Sequence, residues 1–439
     1  MGCPMTQKTY LRCKESDIKW IGKVPEHWEV KKLKYCLLLA TRKIESRKPQ
    51  VALENIESWT GRFIKTETEF EGDGIAFEEG DILFGKLRPY LAKVFLAQFS
   101  GEAVGDFFVM HPSPTIDGRF AQYQILNKDF IAIIDSATYG AKMPRVDWEF
   151  MGNMEITLPP LPEQISISSF LNRETSRIDT LISEKEQLIS LLQEYRQALI
   201  SHAVTKGLDP KVKMKDSGVE WLGEIPEHWE VKRLKFLGQA IIGLTYDPSE
   251  IVDEGDGILV LRSSNVQGGQ IVFDDNVFVR KAVPEKILTK LGDILICSRN
   301  GSRALIGKNA VIDDDSVGLT FGAFMTIFRS KHNLYLSYVF NSSLFEFQSG
   351  SFLTSTVNQL TTSNLYSFEV PVPPNDEQFA IASFLGQETS RIDTLISEAR
   401  KFIDLLKEYR SSLISAAVTG KIDVREAVSS VPMETGDRP

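Results

Sequence analysis

Glu174-Thr-Ser-Arg-Ile-Asp-Thr-Leu-Ile-Ser-Glu184 occurs twice in this chain without a change, the second time as Glu388–Glu398. It belongs to a longer repeat, Glu163–Thr205 against Glu377–Thr419, whose copies stand 214 residues apart (163 to 377). Prolines gather just before each copy, at Pro159, Pro160 and Pro162 and at Pro371, Pro373 and Pro374. None follows until Pro210 and Pro432. Proline is tolerated at the start of a helix and not inside one, so each copy reads as one long helix. Apolar residues recur at alternating steps of three and four: Ile178, Leu181, Leu188, Leu192, Tyr195 and Leu199, then Ile392, Leu395, Phe402, Leu406, Tyr409 and Leu413. Ala399 fills one step of the second copy, and Lys185 is the polar intruder in the first. This spacing predicts a coiled-coil seam. A helix from Glu174 to His202 is about 43 Å long at ~1.5 Å per residue. Two copies in one chain supply both strands, and the return of the chain favours antiparallel pairing.

A second repeat lies upstream. Trp20-Ile-Gly-Lys-Val-Pro-Glu-His-Trp-Glu-Val-Lys-Lys-Leu-Lys34 returns as Trp221-Leu-Gly-Glu-Ile-Pro-Glu-His-Trp-Glu-Val-Lys-Arg-Leu-Lys235, 201 residues later (20 to 221). The segment between the two repeats is therefore 13 residues longer in the second half (201 against 214). These inner segments share little beyond Gly80-Asp-Ile-Leu83 and Gly292-Asp-Ile-Leu295. Short apolar runs alternate there with turn signals, as in mixed α/β folds. The expected architecture is α/β (α+β): two globular domains joined by two long helices in an antiparallel coiled coil, with a pseudo-twofold internal repeat. The boundaries read as 1–157 for the first domain, 158–209 for a central helix region and 210–371 for the second domain. A C-terminal helix region follows at 372–426, then a flexible tail at 427–439.

Composition narrows the function. The chain has 439 residues, 42% apolar and 25% charged, with a net charge of −9. These are values of a folded protein, and no run approaches the ~20 apolar residues of a membrane span. Cys3, Cys13, Cys36 and Cys297 show no paired spacing, which points to a reducing, cytoplasmic setting. The acidic balance confines any nucleic-acid contact to local patches.

Catalytic signatures are missing. The stretch nearest to a phosphate-binding loop, Gly301 to Lys308, has the wrong spacing, and no nucleophile elbow, zinc helix or dinucleotide motif is present. His27 and His228 sit between Glu and Trp in both copies of the opening motif. They read as structural, because no second metal ligand lies nearby. Glu29-Val30-Lys31 and Glu230-Val231-Lys232 echo part of a nuclease site but lack a preceding Pro-Asp. The chain reads as a binding and positioning module with no catalytic residue and no metal.

Two loops follow the Gly-Asp-Ile-Leu strands and combine glycine with basic and polar side chains. The first carries Lys86, Arg88, Tyr90 and Lys93, and the second Arg299, Asn300, Ser302, Arg303 and Lys308. Lys142, Arg145, Asn358 and Gln359 come from later loops. Such groups contact phosphates or read base edges. The chain-wide alternative is a coiled-coil scaffold joining two protein-binding domains without touching DNA.

The repeat blocks resemble the specificity subunit of type I restriction-modification systems. The resemblance rests on Asp216-Ser-Gly-Val-Glu-Trp-Leu-Gly-Glu-Ile-Pro-Glu-His-Trp229 and its first copy, on Leu158-Pro-Pro-Leu-Pro-Glu-Gln164 and on Pro371-Val-Pro-Pro-Asn-Asp-Glu-Gln378. The helix ends Ala203-Val-Thr-Lys-Gly207 and Ala417-Val-Thr-Gly-Lys421 add to it. It implies two target recognition domains, each reading half of a split, asymmetric double-stranded DNA target, with the helices setting the gap. It implies two methyltransferase (modification) subunits docked on the repeated regions, and restriction/translocase subunits beyond them. The partners, not this chain, use S-adenosylmethionine, ATP and Mg.

Overall fold

The computed structural model describes residues 8–44, 49–66, 74–140, 142–351 and 358–425. The expected tail, 427–439, lies outside them. The chain forms two compact units, one of Met1–Lys185 with Arg400–Pro439 and one of Glu186–Ala399. Each long helix is thereby shared: the first runs Leu161–Lys206 and the second Asn375–Val418. The units take half of each helix instead of leaving the helices as regions of their own.

In the first unit an antiparallel four-stranded sheet runs Leu37–Ala40, Phe107–Pro112, Ile82–Gly85, Val94–Leu96. In the second unit the order is Gln239–Ile242, Met325–Arg329, Ile294–Cys297, Asn309–Val311, again antiparallel throughout. The two Gly-Asp-Ile-Leu strands hold the same place in these sheets. Their aspartates explain the motif: Asp81 accepts from the Glu78 N–H at 2.8 Å, and Asp293 from the Lys290 N–H at 2.8 Å, each closing the turn that starts its strand. A second four-stranded sheet differs between the units. Gly74–Phe77 pairs with Gly101–Val104 in the first, whereas Phe278–Val279 pairs with Ile258–Leu261 in the second. The sheets that meet the helices repeat, and the outer sheets diverge.

The opening motif locks each unit to a helix. Glu29–Lys32 pairs with Glu155–Leu158, and Glu230–Arg233 with Glu369–Val372, in the same register. Trp28 and Trp229 are fully buried. Trp229 donates its indole N–H to Glu377 at 2.8 Å, in the first turn of the second helix. His27 meets Glu163 at 2.8 Å, and His228 meets Glu377. The histidines thus tie motif to helix start, the structural role expected of them. Gly207 and Gly420 (φ +77° and +73°) end the helices in the left-handed conformation that glycine adopts without strain, against the rings of Trp229 and Trp28 respectively. In the first unit the Asp423 N–H donates to the Lys8 carbonyl at 2.7 Å. The matching place in the second unit is the continuous stretch 207–213.

Within each unit the start of one helix packs on the end of the other. Ile178 shares a core with Leu413, Ile414 and Ala417, and Ile200, Ala203 and Val204 share one with Ile381 and Leu385. The pairing is antiparallel, as expected. Ile178, Ile392 and Leu413 are buried, and Leu192, Leu199 and Leu406 half-buried. Five expected seam residues are instead exposed: Leu188, Tyr195, Leu395, Phe402 and Tyr409. Leu181 is half-buried beside Ile182. At the mismatched steps the seam runs one residue later, through Ile182, Ile189 and Arg196 and through Ile396, Ile403 and Arg410, and it keeps Lys185 and Ala399. With Ile178, Leu192, Leu199 and their repeats this is an unbroken three-four alternation.

The correction has a physical cause. Apolar residues come in adjacent pairs (Leu181-Ile182, Leu188-Ile189, Leu395-Ile396, Phe402-Ile403), so two heptad stripes fit the sequence equally. The arginines decide between them. Arg410 pairs with Asp179 at 2.9 Å, and its repeat Arg196 with Asp393 at 3.0 Å. An arginine at a seam position is thus satisfied by the opposite helix. The two pairs differ in burial: 10% and 16% side-chain exposure for Arg410 and Asp179, 30% and 55% for Arg196 and Asp393. Arg410→Met strands a largely buried carboxylate and is expected to cost about 3 kcal/mol. Arg196→Met is expected to cost under about 1 kcal/mol. Chemical denaturation of the two variants checks the difference, and equal losses would contradict it.

Candidate nucleic-acid interface

In each unit the loop after the Gly-Asp-Ile-Leu strand is clasped by the loop that precedes the last strand. An isolated antiparallel bridge joins Leu87 to Arg145 in the first unit and Arg299 to Gln359 in the second. The sequence-predicted loops are therefore brought together, at equivalent places. The Arg88 N–H donates to the Pro144 carbonyl at 2.8 Å, and the Leu360 N–H to the Ser298 carbonyl at 2.7 Å.

The predicted side chains divide by what they already hold. Arg145 makes a two-pronged contact with Asp106 (3.1 and 2.9 Å), which also lies 3.8 Å from Lys86. This carboxylate raises the arginine's pKa still further. Lys93 donates to the Leu53 carbonyl at 2.7 Å, and its partial burial lowers its pKa. In the second unit Asn300 donates to Ser263 Oγ at 3.2 Å and accepts from the Ser302 N–H at 2.9 Å. Arg303 reaches the Gly350 carbonyl, and Asn358 the Gly301 carbonyl. Arg88, Lys142 and Lys308 make no side-chain hydrogen bond or ion pair among the described residues. Among the described residues the Arg299 guanidinium has one side-chain contact, the face of the Phe324 ring, 5.1 Å from its centroid. Lys86, Arg145, Lys93, Asn300, Arg303 and Asn358 build the loops, and four cations stand at their surface without a carboxylate partner among the described residues.

Sequence reasoning missed the aromatics that share these surfaces. Phe324, Tyr139 and Trp59 are exposed. Tyr139 bonds Asp147 at 3.2 Å and flanks Arg145 by a backbone bridge. They lie outside any basic run, so no local pattern marks them. Among the described residues no three His, Cys, Asp or Glu side chains gather as a metal site, and no helix is long and apolar enough to cross a membrane.

Comparisons with known proteins agree on one class. Residues 226–401 match the family described as type I restriction modification DNA specificity domain. The MjaVIII type I specificity subunit of Methanocaldococcus jannaschii is 27% identical over 92% of this chain and 95% of its own length. The EcoKI specificity subunit of Escherichia coli is 26% identical over 46% of this chain and 44% of its own length. A chain from a solved structure on assembly and conformational transition of the type I restriction-modification system superposes with a TM-score of 0.72, at 18% identity, over 90% of this chain and 98% of that one. The HsdS subunit of Thermoanaerobacter tengcongensis gives 0.51 at 18% identity, over 91% and 98%. The fold is thus shared with these solved chains. The chain is similar, over most of its length, to specificity subunits of type I restriction-modification systems.

Proposed function

We propose that the two units, with recognition domains at 1–157 and 210–371, each read one half of a split, asymmetric DNA target. The observation that carries this reading is the pair of clasped loops, set at equivalent places on equivalent sheets but furnished with different side chains. Like placement suits two half-sites, and unlike residues suit two different sequences. Arg88 and Lys142 in one unit, and Arg299 and Lys308 in the other, are the first candidates for phosphate and base contact. The helices, which pass from one unit into the other, set the distance between the half-sites.

Each unit also presents a docking face. Phe402, Leu405 and Tyr409 are exposed on the second helix in the first unit, and Leu188, Leu191 and Tyr195 on the first helix in the second. These are repeats of one another. Exposed apolar faces of this kind mark partner sites, and a duplicated face suits two copies of one partner. The two modification subunits fit that role and bring S-adenosylmethionine. Restriction subunits with ATP and Mg complete the assembly.

The spacer role is tested by removing one heptad from each helix. A heptad is ~10 Å of helix, about three base pairs. The methylated motif written by the shortened chain with its modification subunit is expected to keep both half-sites and narrow the gap between them. An unchanged gap would contradict the role.

A further inference from the structure

Four non-glycine residues among those described have positive φ, and three of them meet in one patch of the first unit: Trp59 (66°), Arg88 (51°) and Ala92 (46°). A bulky side chain in this region is a strained outlier that persists only where its surroundings over-determine it. Trp59 is held on both sides. Its N–H donates to the Ala92 carbonyl at 3.2 Å, and its carbonyl accepts from Arg410 Nη1 at 3.0 Å. Arg410 is itself fixed by Asp179. Gly61, two residues on, presses so closely on the Val94 carbonyl that a Cβ would lie 2.0 Å from it. The backbone of Trp59 is held in this way, while its indole joins none of the hydrophobic cores and is 37% exposed. Exposed Arg62, paired with Glu57 at 3.7 Å, follows it, and the strained loop contributes Arg88 and half-exposed Tyr90.

Among the described residues the second unit has no counterpart. There the turn between the paired Val266 and Ile271 is Gln267-Gly268-Gly269-Gln270, where the first unit has Glu57–Arg62 between the bridged Ile56 and Phe63. Arg196, the repeat of Arg410, binds Asp393 and no backbone carbonyl.

We propose that Trp59 is a base-stacking wedge of the first recognition domain, with Arg410 as its positioning residue. The inference rests on the reading that these loops face DNA. A part-exposed indole on a backbone fixed in this way, near the cation Arg88, is suited to stack on a base or to enter a base step, while the cation holds the DNA backbone. Because the second unit lacks the device, its effect falls on one half-site.

The test uses the full chain with its modification subunit and reads the methylated motif in cells. Trp59→Ala is expected to relax one or more positions in one half-site only and to slow methylation ~10-fold or more, with the other half-site unchanged. Trp59→Tyr, which keeps a stacking ring, is expected to restore the motif. If the alanine variant does not accumulate, Trp59→Gln takes its place. An unaltered motif written at the normal rate would overturn the wedge, as would a uniform loss across both half-sites. A wild-type complex that writes no motif removes the DNA reading and the wedge with it.

Discussion

Reversing four charges, Arg88→Glu with Lys142→Glu and Arg299→Glu with Lys308→Glu, is expected to weaken target binding by the assembled complex at least ~100-fold near 0.1 M salt. These four cations carry the argument because their neighbours do not neutralise them. Arg145 and Lys86 share Asp106, and Lys93 is spent on the Leu53 carbonyl. Phosphate neutralisation supplies most of the sequence-independent affinity, and each lost contact flattens the salt dependence by about one unit of slope. The quadruple variant should therefore bind more weakly and lose affinity less steeply as salt rises. Its melting should match the parent protein, since none of the four joins a buried pair. Titration of labelled duplex at several salt concentrations measures both quantities. Unchanged affinity and slope would favour the coiled-coil scaffold that does not touch DNA.

The second large effect concerns assembly. Leu191 and Leu405 are 62% and 61% exposed at the centres of the two repeated outer faces. Aspartate there places a charge in the middle of an apolar contact, where a central substitution costs about 2–4 kcal/mol. Each site is expected to bind its modification subunit ~100-fold more weakly. The single variant Leu191→Asp should hold one partner in place of two, and Leu191→Asp with Leu405→Asp should hold neither. Analytical ultracentrifugation reads this stoichiometry directly. Two partners bound to the double variant would show that the faces serve something else.

The duplication was legible in the sequence because two long blocks repeat at fixed spacing. From it followed the two units, the antiparallel helices and the equivalent central strands. The seam was less legible. Apolar residues stand in adjacent pairs along both helices, and periodicity alone cannot choose between stripes one residue apart. Arg196 and Arg410 resolve the choice, but a charged side chain reads as a solvated face until its partners, Asp393 and Asp179, are known. Part of the stripe taken for the seam, Leu188, Tyr195, Phe402 and Tyr409, lies on an exposed face instead. At the loops, residue type pointed to cations but could not tell Arg88 from Arg145, because the difference lies in Asp106, far away in sequence. Trp59 gave no signal at all: its backbone conformation is imposed by Ala92 and Arg410, and neither is near it in the chain.

On the proposed function, this chain alone chooses the DNA sequence. Methylome sequencing of cells carrying the modification subunit with and without this chain tests it most directly. A split, asymmetric methylated motif that disappears when the chain is removed is the expected result. An active, verified complex that writes no chain-dependent motif would contradict it.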